Sequence, residues 1–304
     1  MELEQFIRTI RIFGEEKTLV RPALTVNMFY AQPLGELGPF MADILQRYVA
    51  FIPDGSLTSY LSPSGIIKDL PPRVITKTLK ALISIKQDAE FDEFHFGQGP
   101  DGAVGNYAIS FIGQSLRDRQ TFPSRANWLS LQFPIALFES VDPDRFIEFI
   151  VGLAKLVPFT CGIAGNGFGY VINGANDAKA ARAIASMAMR LLAFDINYSG
   201  MRDFVFDRIY NVSWLNLWGS NIVASLGGRD VIQDELTGMQ VTDVAQGILV
   251  RASERPPVGD IARSVDDTDP LKRLAKLTKI LRPRVDLLGS EDNTFAKKWL
   301  SRFD

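Results

Sequence analysis

Apolar and polar residues alternate cleanly at Leu24, Val26, Met28 and Tyr30, the period-2 pattern of a half-buried strand. This stretch belongs to a predicted hairpin in which FIRTIRIFG and RPALTVNMFYA are joined through Gly14-Glu15-Glu16. The period then lengthens. Phe40, Ile44, Leu45, Tyr48 and Val49 recur at helical spacing and predict a helix around LGPFMADILQRYVAFI. Prolines and a glycine interrupt SYLSPSGIIKDLPPR, which reads as a loop, and Pro71-Pro72 lead into a second helix over about Arg73 to Lys86.

From Phe91 the strand period returns in EFDEFHFG, GNYAISFIGQ and RANWLSLQFPI, separated by turn residues. Asp142 and Pro143 then suit the N-cap and first turn of a helix through SVDPDRFIEFIVGLAKLV. A glycine-rich strand, FTCGIAGNGFGYVIN, precedes NDAKAARAIASMAMRLLAF, whose Ala, Met and Leu content predicts a well-buried helix. The last third offers RIYNVSWLNLWGSNIVASLGGRD, a short helix near RDVIQDEL and two strands in MQVTDVAQGILVRAS. A helix from Asp269-Pro270 and an amphipathic end, NTFAKKWLSRF, complete it.

Strands arrive in adjacent groups with helices between the groups, which predicts an α+β fold of mostly antiparallel sheets covered by helices. The expectation is a single unit over 1–304, or two intimately packed subdomains over about 1–120 and 121–304.

Composition narrows the function classes. A chain of 304 residues with 46% hydrophobic and 22% charged residues can build a continuous core without staples. Its net charge of −2 supplies no global basic field for nucleic acid. Cys161 is the only cysteine and His95 the only histidine, which removes intramolecular disulfides, four-thiolate metal sites and H-E-x-x-H sites. MELEQFIRTIRIF has no apolar core of a secretory signal, and no apolar run reaches the length of a membrane span. The chain therefore reads as a cytoplasmic protein with no membrane partner, no direct nucleic-acid partner and no implied cofactor or metal.

Several patterns imitate chemistry. Gly97 to Gly102 spell G-x-G-x-x-G, but a strand-like segment follows where a dinucleotide fingerprint needs a helix, so a hairpin loop is the better reading. Gly165, Gly167 and Gly169 bare one strand face, which suits close packing before ligand contact. Pro143-Asp144 and Asp177-Ala178-Lys179 imitate a metal-dependent nuclease set, yet both fall at predicted helix starts, where acids complement the helix dipole. A hydrolase would have to use His95 with Cys161. The basic helix Leu271 to Leu281 reads as a solvated face opposite its leucines. Two acidic clusters, Asp88, Glu90, Asp92 and Glu93, then Asp266, Asp267 and Asp269, could meet a basic partner surface.

The segment NVSWLNLWGSNIVASLGG resembles a block of the type VI immunity protein family, TsiV-like, in which Val-x-Trp-Leu leads through a short helix to Leu-Gly-Gly. Here those residues are Val212, Trp214, Leu215 and Leu226-Gly227-Gly228. WLSLQFP, FTCGIAGNGFGYVI, ERPPVGD and LRPR agree in kind and order over roughly residues 20 to 285. Asn216 and Trp218 depart from the family's pattern, which bears on which toxin is met. The resemblance implies an immunity protein, not an enzyme, that occludes a type VI secretion nuclease effector of the VRR-NUC or restriction-endonuclease-like type. Charge, and not the resemblance, selects Asp88, Glu90, Asp92 and Glu93 as first-choice contacts and Asp266 and Asp267 as second; Trp218, expected nearer the surface than Trp214, is a candidate anchor for a partner. The alternatives are an enzyme using Asp144, Asp177 and Lys179 or His95 and Cys161, and a ligand-binding module around Gly165.

Overall fold

The computed structural model describes residues 3–12, 14–85, 93–99, 103–114, 125–170, 177–196, 202, 205, 207–209, 211–282 and 294–304. Among the described residues eleven strands form one antiparallel sheet in the order β10-β11-β9-β8-β2-β7-β6-β5-β3-β4, with β1 on β2. The N-terminal hairpin is β1 (Arg8–Ile12) and β2 (Glu15–Tyr30), turning at Gly14 with φ +86°. The remaining strands are β3 (Ser59–Leu61), β4 (Ile67–Asp69), β5 (Glu93–Gly97), β6 (Ala108–Ile112), β7 (Asn127–Pro134), β8 (Cys161–Tyr170), β9 (Leu215–Gly219), β10 (Gln240–Val244) and β11 (Gly247–Arg251). The helices are α1 (Leu34–Phe51), α2 (Pro72–Ile83), α3 (Pro143–Ala154), α4 (Asp177–Ala188), α5 (Ser220–Ser225), α6 (Arg229–Glu235), α7 (Asp269–Thr278) and α8 (Thr294–Leu300). The fold is α+β, as the grouping of strands predicts.

β2 sits between β7 and β8, pairing Ala23–Tyr30 with the first and Val20–Phe29 with the second. The hydrogen-bonded sheet therefore runs without a break between segments on either side of position 120. Leu24, Val26, Met28 and Tyr30 point into one core, while Phe29 points into another on the opposite face. The first core lies under α1 and α3. Phe133 of β7 is its hub, with Tyr48, Phe51 and Phe146 at 5.3, 5.8 and 5.3 Å, and Trp214 stacks on Phe146 at 6.1 Å. Pro39 interrupts the backbone ladder of α1, a loss of about 3 kcal/mol in a helix interior. Leu37, Met41, Ile44, Leu45 and Tyr48 are fully buried on that helix, at about 1.5–3 kcal/mol per large apolar side chain, so burial wins.

On the other face, α4 contributes Ala180, Ile184, Met187 and Ala188 to a core with Trp128, Phe168, Phe194 and Trp299. The third core, over β9 and β11, joins Trp218, Ile222, Ile232, Ile248, Leu271 and Leu274 from the last third of the chain. Trp218 stands opposite Cys161 in register, which places this core on the same side as the second.

Two expectations change. SYLSPSGIIKDL is an edge hairpin rather than a loop: Pro63 and Gly65 occupy only its turn, where Ser62 donates from N and Oγ to the Ile66 carbonyl at 2.9 and 2.7 Å. The alanine-rich helix α4 is amphipathic rather than buried throughout, with Lys179, Ala181, Arg182 and Ser186 exposed. The glycine row on β8 serves packing. A Cβ at Gly165 would strike Ser213 Oγ, at Gly167 Thr25 Oγ1, and at Gly169 the Gln132 side chain. Gly165→Val is therefore expected to overpack the Ser213–Trp214 segment and destabilise the protein by about 1–3 kcal/mol, read as a lower urea midpoint at unchanged slope.

Candidate functional site

The sets that imitate catalysis are held apart. His95 on β5 and Cys161 on β8 are separated by four strand-to-strand steps, which at about 4.8 Å each place them on the order of 19 Å apart. Burial pushes the Cys161 thiol up to about 12, which leaves it protonated and a poor nucleophile. His95 Nδ1 lies 2.7 Å from Ser110 Oγ, and burial pushes its imidazole down to about 4. Asp144 lies in the first turn of α3, which covers the first core, and Lys179 lies on α4, which covers the second, on opposite faces of the sheet. Asp144 is bonded at 2.6 Å by Arg251, and the Asp177 side chain lies outside the described residues. Asp142 caps α3 by accepting the Asp144 amide at 2.7 Å, so the acids at that helix start do structural work. Among the described residues no group of three His, Cys, Asp or Glu could hold a metal ion. Gly97 ends β5, the Gln98 amide donates to the Tyr107 carbonyl at 2.9 Å, and among the described residues the next element is strand β6, paired antiparallel with β5; Pro100 to Gly102 of G-x-G-x-x-G lie outside the described residues.

The partner-contact candidates fare differently. Asp88, Glu90 and Asp92 lie outside the described residues, while Glu93 opens β5 and is partly buried opposite Ile112. Asp267 is committed to its own loop, accepting the Val258 and Gly259 amides at 2.8 and 2.7 Å. Asp266 accepts from Lys272 Nζ at 3.1 Å and from Thr268 Oγ1 at 2.9 Å, and these bonds hold its carboxyl below the usual range. Beside them, the fully buried Asp260 takes a bidentate grip from Arg190 at 2.8 and 3.0 Å, which holds its carboxyl low as well. Trp218 is 0% exposed, filling the third core beneath α5. That corrects the expectation of a surface anchor: on β9, Leu215 and Leu217 face the first core, so Trp218 faces the third, which the following helices close over. The basic residues of α7 are largely spent within the fold. Lys272 pairs Asp266 and Asp269, and Arg273 donates to the Glu235 and Thr237 carbonyls.

Glu93 borders the one feature of this region that charge patterns did not reveal. α2, the β3–β4 hairpin and β5 enclose a cleft of about 510 Å³. Its floor carries Phe94 and Phe96, 5.7 Å apart, with Phe111 5.7 Å from Phe94. Tyr60 and Leu61 line one wall and Val74, Thr78 and Ala81 the other, with Lys77 and Glu93 as its charged groups. α2 is the sheet's thinnest cover, with Leu82 its only buried residue. The period-2 pair Phe94 and Phe96 was legible as strand; that its covering helix stands off the sheet was not.

A sequence profile described as "TsiV: Type VI immunity for VRR-NUC" matches residues 41–303. The chain belongs to the TsiV family. Membership makes this TsiV protein a type VI immunity protein. No curated protein matches it. Among solved structures it is similar to the Pseudomonas aeruginosa T6SS protein PA0821, with a TM-score of 0.77 and 19% identity over 97% of this chain and 86% of that one. At that identity the likeness is one of fold. No described helix of this TsiV protein is long and apolar enough to cross a membrane.

The histidine gives this TsiV protein a testable pH response. His95 is depressed from 6.5 to about 4 in the fold, so between those values the unfolded chain binds the extra proton. Stability from this group is complete above about 6.5 and is lost as pH falls toward 4. The expected outcome is that His95→Gln flattens the fall in thermal midpoint between pH 6.5 and 4; an unaltered profile would show that other groups carry it.

Proposed function

We propose that this protein binds a VRR-NUC-type nuclease effector in the cytoplasm and blocks it by occupying its nucleic-acid cleft, performing no reaction itself. The observation that carries the reading is the family match over residues 41–303. The separation of His95 from Cys161 and of Asp144 from Lys179 supports it, because the two enzyme sets the sequence offered cannot assemble in this fold. A nuclease cleft must be basic to hold phosphates, so carboxylates on an inhibitor complement it. Asp88, Glu90, Asp92 and Glu93 are the first-choice acids for this role, as a run of four carboxylates within six positions of the sequence. Asp267 is held in its own loop and Asp266 is already paired with Lys272.

Co-expression tests the function directly. Cells producing the effector nuclease are expected to survive when this chain is present, and the two proteins to co-purify as a stoichiometric complex. Neither rescue nor co-purification would end the reading. Within it, Asp88→Lys with Glu90→Lys and Asp92→Lys is expected to slow association at least tenfold at low salt and to flatten its salt dependence. An unchanged association rate would remove this run from the contact surface.

A further inference from the structure

Among the described residues the sheet ends on β4, on β10 and on the free side of β1. Two of these edges are protected. β4 is three residues long, carries Lys68 and runs into Leu70-Pro71-Pro72. β1 carries Arg8 and Arg11 and shifts register between Arg8 and Thr9. Short length, cations, proline and irregular register keep an edge strand from pairing with another chain. β10 has none of them. It is five residues long, without lysine, arginine or proline, and pairs β11 from Gln240↔Arg251 to Val244↔Gly247 without a shift. Its one charged residue, Asp243, is held by the Arg229 guanidinium at 2.8 Å.

The ladder decides which main-chain groups of β10 face outward. The Ala252 amide donates to the Trp214 carbonyl at 2.8 Å, and Gly219, opposite Gly247, gives its amide to the Thr160 carbonyl at 2.9 Å on the far side. Even positions of β11 therefore bond β9 and odd positions bond β10. Gln240, Thr242 and Val244 answer those odd positions. The N–H and C=O of Val241 and Asp243 are left directed outward, with no hydrogen-bond partner among the described residues.

We infer that this edge pairs antiparallel with β10 of a second copy, about a two-fold axis through Thr242. Chemistry selects both the occupant and the register. A register that sets Asp243 on Asp243 opposes like charges. One that sets Val241 on Val241 calls on Met239, whose amide already serves the Leu236 carbonyl at 2.9 Å. Centring on Thr242 sets Val241 opposite Asp243 at both ends and satisfies every outward N–H and C=O of both copies. It also brings Thr242 against Thr242, a favourable cross-strand pair. The edge is thus complementary to itself, as a two-fold interface requires.

Sedimentation velocity and hydrogen exchange test the inference. A five-residue edge is a small contact, so the parent is expected to be monomeric at about 1 μM and dimeric at about 100 μM. Over that range, exchange of the 240–244 amides is expected to slow. Thr242→Lys and Thr242→Glu, at a partly exposed position, put like charges opposite each other; each alone is expected to stay monomeric at unchanged thermal midpoint. Mixed in equal amounts, the two are expected to restore the dimer. Val241→Pro removes an outward amide and no hydrogen bond of the fold, so it too is expected to stay monomeric. A parent that never dimerises, a dimer that survives both Thr242 substitutions, or a mixture that stays monomeric would overturn the inference. Slowed exchange at 240–244 that appears only when purified effector nuclease is added would overturn it as well, because the edge would then take a strand of the effector.

Discussion

The architecture depends on β2 being buried on both faces and hydrogen-bonded on both edges. A strand in that position must present apolar side chains alternately to two cores, and any residue that is polar must find a partner inside the protein. Leu24, Val26, Met28 and Tyr30 satisfy the first face. The second face holds Thr25 and Asn27, 2% and 1% exposed, and the surrounding chain is arranged around them. Asn27 donates to Asp195 at 3.0 Å and accepts from the Trp128 indole at 3.0 Å. Asp195 accepts in turn from Asn211 at 3.1 Å, and Asn211 accepts from Arg302 at 2.7 Å. The side chain of Arg302, near the C-terminal end of the sequence, is thereby tied to the central strand. Leaving one buried member of such a chain unpaired costs about 1–3 kcal/mol, which gives every segment it touches a reason to stay in place.

The glycines of β8 follow from the same constraint. β8 must lie against β2 while Thr25, Ser213 and Gln132 project across it, and only a strand without Cβ atoms at 165, 167 and 169 leaves that room. The row that looked like a bare face for a ligand is filled by the protein's own polar side chains. Trp214 and Trp218 show the two-faced logic again at β9. Trp214 precedes the strand, enters the first core and donates its indole N–H to the Ser253 carbonyl at 2.7 Å. Trp218 enters the third core, where its indole nitrogen has no hydrogen-bond partner among the described residues. That omission costs about 1–3 kcal/mol; losing a buried tryptophan altogether costs about 3–5 kcal/mol, so full burial is the better state.

How much of this was legible follows from which forces are local. Period-2 alternation located β2, β6 and β7, and Asp142-Pro143 located the start of α3, because strand pleat and helix capping act within a few residues. The edge hairpin β3–β4 was missed because its strands are three residues long and its register is set by Gly97 and Phe96 of β5, partners nearly forty residues away. The burial of Trp218 was missed for a related reason. Alternation says that positions 217 and 218 face opposite ways, but not that α5, α6 and α7 close over the second side. Of the acids, composition revealed the charge but not its commitments: Asp267 and Asp260 look alike in sequence to a surface carboxylate, yet each holds a loop together.

Those commitments bear on how a protein with little free chemistry can still be specific. Long-range charge is forgiving of geometry; it accelerates encounter with any basic surface and fades beyond a Debye length of about 8 Å at physiological ionic strength. It cannot by itself distinguish one nuclease from another, since all of them carry phosphate-binding cations. Discrimination needs a shaped contact, where a wrong side chain leaves a void or a clash. The extended sheet supplies a rigid frame for one. Its centre at β2 is locked by two cores and a polar chain reaching residue 302, while its β5–β3–β4 end carries α2, a helix with one buried residue in twelve. Variation at α2 and the hairpin would change the shape of that end without disturbing β2.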